Sequence, residues 1–454
     1  KATARARAYA RSSEACGACH DVRLFGSDVV GASERGEHFK RLRNAYSEWR
    51  TWADEEARHG RSAPTCQGCH MSLYPGICAR APGATGGQGC PPGTQVEARA
   101  PGDFPSARVA PASMDATRVF VHGFASVDVP MARDLPDAFA DDPTLDAFDL
   151  PLGIRERRDL LLSRALRLSI DGARRGEDSL EVPIVIENVG AGHRVPAGFS
   201  QEREVWVELT VTDATGRIVY RVGHVDTPDE DLHDKVFLRV NVGDEEVDAR
   251  GRPLGVFGAD VADGRDVPRW SPPPGTPGAT TFRGRGLVNL QNGFLRCVRC
   301  VGVVVDGACL PAAGQEATRA ARFADGDYDI ETGACRSNLA GDRALFETYF
   351  PVGALDAQRG IAKAPDAIVD TRSAPPGVPL RYVYVIPPRG ARGPIRVQAR
   401  LLFRAFPPYL IRASAAYEAA RSARGERPRG PQVDLDMLRR VDLVELARVE
   451  ARFE

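Results

Sequence analysis

The chain has 454 residues, 43% of them hydrophobic, enough to bury sizeable cores in two to four domains. Its 60 Lys and Arg against 61 Asp and Glu leave a formal net charge of −1, which offers no electrostatic footprint for a nucleic acid or an anionic membrane surface. No apolar run reaches the roughly 20 residues that cross a bilayer, and the N-terminal stretch KATARARAYARSSEACGACH, without the apolar core of a signal peptide, reads as a mature or trimmed end.

The first element with chemistry in it is Cys16-Gly17-Ala18-Cys19-His20, and a second, Cys66-Gln67-Gly68-Cys69-His70, follows soon after. C-x-x-C-H is the spacing of a covalent c-type haem site. Two thiols form thioethers to the porphyrin edge, and the adjoining histidine turns onto the iron as proximal ligand. Two haem c groups are therefore expected, held by Cys16, Cys19, Cys66 and Cys69, with His20 and His70 on the irons. A zinc half-site or a thiol–disulfide motif is the competing reading of one such match; the pair lacks the spacing between half-sites that zinc ribbons use. Between the motifs, Phe39, Leu42, Tyr46, Trp49 and Ala53 recur at alternating steps of three and four, one face of a helix with Ser33 as N-cap and Gly60 as stop. Trp49 and Trp52 read as packing residues.

The segments CGACHDV, AYSEWRTW and CQGCHM together resemble the start of a bacterial multihaem cytochrome c family of the cell envelope. Val121-His122-Gly123-Phe124 is similar to that family's His-x-Phe segment, and Gly192-His193-Arg194-Val195-Pro196-Ala197-Gly198 to its Gly-His-x-x-Pro-x-Gly segment. The resemblance covers residues 12–225 and implies that His122 and His193 are the distal iron ligands. His38, near the helix stripe, is the reserve. The family often carries four or more haems, so the low count here implies no long internal wire. Axial methionine, from Met114 or Met131, would raise the potential relative to a histidine pair.

Residues 76–117, rich in Gly, Pro and Ala, are expected to wrap the haems irregularly, with Cys78 and Cys90 closing a small loop. From 163 onward, ALRLSID, SLEVPIVIENV, EVWVELTVTD and RIVYRVG alternate as strands, and PLRYVYVIP with PIRVQARLLFRAF returns later. Cys297, Cys300, Cys309 and Cys335 read as two disulfides in preference to a zinc site, and Asp325, Asp327, Asp329 and Glu331 as a solvated acidic loop in preference to a calcium site. DLDMLRRVDLVELARVEARF shows a drifting helical stripe at Leu435, Leu438, Val441, Leu443 and Leu446. The expected fold is α+β. A loop-rich, α-helical dihaem domain spans 1–150, and an immunoglobulin-like β-sandwich begins at 151–245 and is completed by strands in 376–412. A loop-rich, cysteine-containing insertion fills 246–375, and C-terminal helices occupy 413–454.

The expected function is an exported dihaem electron carrier with bis-histidine irons and no catalytic residue. It would be periplasmic, outer-membrane-associated or extracellular. Its partners would be other redox proteins or cytochromes, or further copies of itself in an assembly; no nucleic acid and no transmembrane segment are implied. Two other readings stand. One is a dihaem redox enzyme of peroxidase or nitrogen-oxide reductase type, which needs one open iron position. The other is a structural cytochrome subunit of a filament or larger redox assembly.

Overall fold

The structure is a computed structural model, and it describes residues 3–23, 41–87, 89–105, 120, 124–129, 150–232, 235–239, 256–260, 281–284, 287–305, 308–310, 322–329, 334–339, 345–348, 355–356, 360–361, 367–369, 373–427 and 432–454. The chain divides into two compact units. One comprises Lys1–Val22, Asn44–Arg167 and Asn188–Arg194; the other comprises Arg23–Arg43, Leu168–Glu187 and Val195–Glu454.

The first unit is helical with one small sheet. Its helices are Ala4–Ala10, Ser13–His20, Ala45–Arg58, Cys66–His70 and Ile154–Ala165. Ala45–Arg58 carries the Tyr46–Trp49 face read from the sequence. Its start falls after Asn44; the expected cap, Ser33, is outside the described residues. Gly60, at φ +71°, ends it as a residue free to enter the left-handed region should. Gly76–Arg80 pairs antiparallel with Thr94–Ala98 on one side and with Leu150–Pro151 on the other. A disulfide joins Cys78 to Cys90 and packs with Leu152, Val96 and Leu160.

The second unit is dominated by strands. One sheet runs Ile218–Val222, Glu204–Thr212, Ile395–Arg404, Val444–Phe453, all antiparallel. Another runs Thr281–Gly284, Leu380–Ile386, Leu180–Asn188, Leu166–Ile170, with the Thr281–Gly284 pairing parallel. In Leu380–Ile386 buried and half-buried residues alternate strictly, the period of a strand with one face in a core. Trp206, Leu209, Val397, Ala399 and Leu401 are fully buried. Opposite each other in register, Glu204 and Arg404 form a buried ion pair, Arg404 Nε donating to Glu204 Oε2 at 2.7 Å. The guanidinium also donates to the carbonyls of Pro228 and Glu230 and lies over the Trp206 ring, so the buried charge is fully engaged.

The C-terminal segment departs from the helix expected of it. Leu435–Arg440 is a short 3-10 helix and Val444–Phe453 a strand. The supposed stripe ran across more than one element; within VELARVEARF Arg448, Glu450 and Arg452 keep a two-residue period, Glu445 stands out of it where the register shifts opposite Leu401 and Leu402, and the strand pairs with Ile395–Arg404. Cys297 and Cys335 form a disulfide, and Cys300 is disulfide-bonded as well. The Cys309 side chain is outside the described set, as are Glu331, His38, His122, Met114, Met131 and His233. Among the described residues no helix is long and apolar enough to cross a membrane.

Candidate functional site

Both C-x-x-C-H motifs lie in the first unit, each at the end of a short helix that closes on its histidine. The four motif cysteines are free thiols, while Cys78, Cys90, Cys297, Cys300 and Cys335 are all oxidised. Burial and the neighbouring Cys66 push the Cys69 thiol up to about 12, and burial together with the facing Cys66 thiol raises Cys16. Among the described residues no three His, Cys, Asp or Glu converge as a metal cage.

The Cys66–His70 turn is well anchored. Thr65 caps it, its hydroxyl accepting from Gly68 N at 3.1 Å. The Gly68 carbonyl accepts from Gly102 N at 2.7 Å and from Ser72 Oγ at 2.5 Å. The His70 ring is then fixed from behind: Nδ1 donates to the Ala125 carbonyl at 2.6 Å, and Ala125 N donates back to the His70 carbonyl at 3.0 Å. A carbonyl can only accept, so Nδ1 carries the proton and Nε2 keeps its lone pair, the tautomer that binds a metal. Burial lowers the His70 pKa, holding the ring in that neutral form.

Facing it is His193. The two imidazoles are parallel within 11°, with centroids 6.2 Å apart. Two histidines on opposite faces of one metal, with bonds of about 2.0 Å to Nε2, place their ring centroids about 6 Å apart. His193 Nδ1 donates to the Arg194 carbonyl at 2.9 Å, so the proton is on Nδ1 and the ring lone pair on Nε2. The ring spacing, the near-parallel planes and the two tautomers are compatible with one haem iron held between them.

The loop that carries His193 is built by Asn188, Gly190 and Gly192 against Trp52, Arg164 and Glu48; Gly192 stood in the Gly-His-x-x-Pro-x-Gly segment and Trp52 among the packing residues, while Asn188, Gly190 and Arg164 were given no role from the sequence. A Cβ on Gly190 would fall 2.1 Å from the Arg164 carbonyl oxygen, and one on Gly192 would fall 2.4 Å from the Trp52 ring. Only glycine permits this approach to both the Ile154–Ala165 and Ala45–Arg58 helices. Asn188 spans the turn, accepting from Ala191 N at 3.0 Å and donating to the His193 carbonyl at 2.7 Å. Glu48 Oε2 accepts from Arg194 N at 2.9 Å. The sequence signal was present in Asn-Val-Gly-Ala-Gly-His, where closely spaced glycines mark a loop pressed against other backbone, but their neighbours could not be named.

The first motif packs on the same long helix. A Cβ on Gly17 would lie 2.7 Å from the Tyr46 ring, and Ser47 Oγ donates to Asp21 at 2.7 Å. Trp49 Nε1 donates to the Pro64 carbonyl at 2.9 Å, tying that helix to the entry of the second motif. His20 is exposed and acts electrostatically on His70. Of the other described histidines, His59 bonds to its own helix end and His224 lies between Arg221 and Asp226 in the second unit.

No protein-family model and no curated protein matches the chain. Among solved structures it is similar to a penta-haem cytochrome c552 from Thermochromatium tepidum, at 12% identity and a TM-score of 0.36, over 98% of this chain and 57% of that one. The chain thus spans little more than half the length of that protein.

Proposed function

We propose that this chain is an exported dihaem c-type cytochrome that relays electrons between redox partners. The observation that carries the reading is the His70–His193 pair: parallel rings, 6.2 Å apart, each with Nδ1 committed to a carbonyl. Haem c supplies a one-electron iron couple. Cys66 and Cys69 would hold one haem edge, His70 the proximal position and His193 the distal one. Cys16, Cys19 and His20 would hold the other group. At the His70 haem two fixed imidazoles would leave no open coordination site and would keep the ligand set the same in both oxidation states, as a relay step requires; an oxygen- or peroxide-binding enzyme would need its open position at the His20 haem.

His122 is the proposed distal ligand of the His20 haem. It stands three residues before Ala125, whose carbonyl accepts from His70 Nδ1. The two disulfides between named pairs, Cys78–Cys90 and Cys297–Cys335, support an oxidising compartment outside the cytoplasm.

The test is spectroscopic. A haemochrome assay on denatured protein gives two covalently bound haems per chain, and His193→Ala turns one of them from low spin to high spin. A wild-type haem that is already five-coordinate and takes up cyanide readily would move the enzyme reading ahead. An unchanged low-spin spectrum in His193→Ala would remove the ligand assignment.

A further inference from the structure

The two haem motifs are joined by a compact set of hydrogen bonds that the attachment chemistry does not require. Gln67, the variable residue inside the second C-x-x-C-H, points away from its own motif. Its Nε2 donates to the Ser12 carbonyl at 2.7 Å and to the Ala10 carbonyl at 3.3 Å, at the entry of the Ser13–His20 helix. In the reverse direction, Cys66 N donates to Ser13 Oγ at 3.0 Å. Both side chains are almost fully buried, Ser13 at 3% and Gln67 at 3% exposure. The Gln67 Oε1 atom has no hydrogen-bond partner among the described residues. A buried amide left half satisfied is unfavourable beside an apolar residue of the same shape, so filling space does not explain a glutamine here. Between the same two helices, the Cys16 and Cys66 thiols face each other. Those sulfurs are the attachment points of the two porphyrin edges, so whatever sets the spacing of segments 10–13 and 66–67 also sets the approach of the two haems.

We propose that Ser13 and Gln67 are positioning residues that clasp the two haem motifs together and fix the distance and angle between the two groups, and with them the electronic coupling between the haems. The inference rests on the dihaem reading and adds to it a residue-level control of the inter-haem step. Neither residue touches an iron or a thioether, so each can be changed while attachment and axial ligation stay intact. Gln67→Met keeps the volume and removes the donor. Ser13→Ala removes the acceptor on the opposite arm and is independent of the first change.

The experiment is Soret circular dichroism of the full-length, haem-loaded protein, read alongside haemochrome stoichiometry and the spin state of each haem. Two haems held in fixed contact give a couplet of opposite-signed bands whose amplitude depends on their separation and angle. In Gln67→Met the couplet is expected to fall about twofold or more, because a site held by such bonds loosens beyond the roughly 0.5 Å and 10–20° that keep its geometry. Ser13→Ala is expected to reduce it in the same sense, and the double variant further, with two low-spin haems throughout. A full-amplitude couplet in the double variant overturns the clasp. A wild type with fewer than two haems overturns the dihaem reading and the clasp with it, and the haemochrome count separates that failure from the first. If Gln67→Met does not accumulate, Ser13→Ala alone decides, since it deletes one hydroxyl and leaves the backbone bonds of the turn in place.

Discussion

Replacing Gly192 by alanine tests how the His193 loop is held. A methyl carbon at that position would sit 2.4 Å from two atoms of the Trp52 ring. Ordinary carbon–carbon contact needs about 3.5–4.0 Å, so the loop or the ring must yield by about 1 Å or more. Trp52 is a rigid ring on the Ala45–Arg58 helix, and the same helix grips the loop through Glu48 and Arg194 N. The loop, the smaller body, is expected to move, carrying His193 beyond the roughly 0.5 Å that ligand geometry tolerates. Overpacking of this kind costs about 1–3 kcal/mol. The expected outcome for Gly192→Ala is a high-spin fraction in one haem, together with a lowered unfolding midpoint. Adding Trp52→Leu removes the atoms the methyl meets and should restore most of the low-spin signal. Gly176→Ala, where the nearest atom is 3.5 Å away, is the silent control. A fully low-spin Gly192→Ala protein of unchanged stability would refute the account of the loop.

Glu48→Ala takes the acceptor from Arg194 N and the nearest carboxylate from its guanidinium, and should cost about 2–3 kcal/mol in denaturant unfolding; no loss of stability would show that the contact is incidental. Serines at both Cys78 and Cys90 remove a cross-link over a separation of 12 residues, worth about 3 kcal/mol in the chain-entropy model, and should leave haem content unchanged. Serines at Cys66 and Cys69 should lower the haemochrome count from two to one, and an unchanged count would place the second haem elsewhere. Arg404→Ala strands Glu204 inside the sheet, and should destabilise the second unit by about 3–5 kcal/mol in thermal unfolding while leaving the haem spectra as they are.

The C-x-x-C-H motifs could be read as candidate haem sites because the proposed chemistry is local. Thiols at a fixed spacing with a histidine beside the second must address one macrocycle, wherever the segment folds. The strands Leu180–Asn188, Glu204–Thr212, Leu380–Ile386 and Ile395–Arg404 were legible for a related reason: each alternates or runs apolar over a length that a strand needs, and the turn at Asp213-Ala214-Thr215-Gly216 has its own side-chain chemistry, with Asp213 accepting from Thr215 N at 2.9 Å. The C-terminal segment was misread because five apolar residues spaced for a helix are spread over a 3-10 helix (Leu435, Leu438), the link after it (Val441, Leu443) and a strand (Leu446). In Val444–Phe453, pairing with Ile395–Arg404 overrides a marginal local preference.

The proposed distal ligand, His193, is a different case. Nothing within a few residues of His193 distinguishes it from a turn histidine, and its assignment at the sequence level came from resemblance. Only the tertiary structure sets it parallel to His70, because that depends on glycines fitting against Trp52 and Arg164, on Glu48 reaching Arg194 N, and on Ala125 bracing the opposite ring. Gln67 makes the same point: within its motif it is the unconstrained position, and only the packing of the two motif helices turns its amide toward Ser12. On the proposed reading, attachment would be encoded by spacing along the chain. Ligation and coupling are encoded by contacts between segments distant in sequence, whose free energy exists only once the chain has closed on itself.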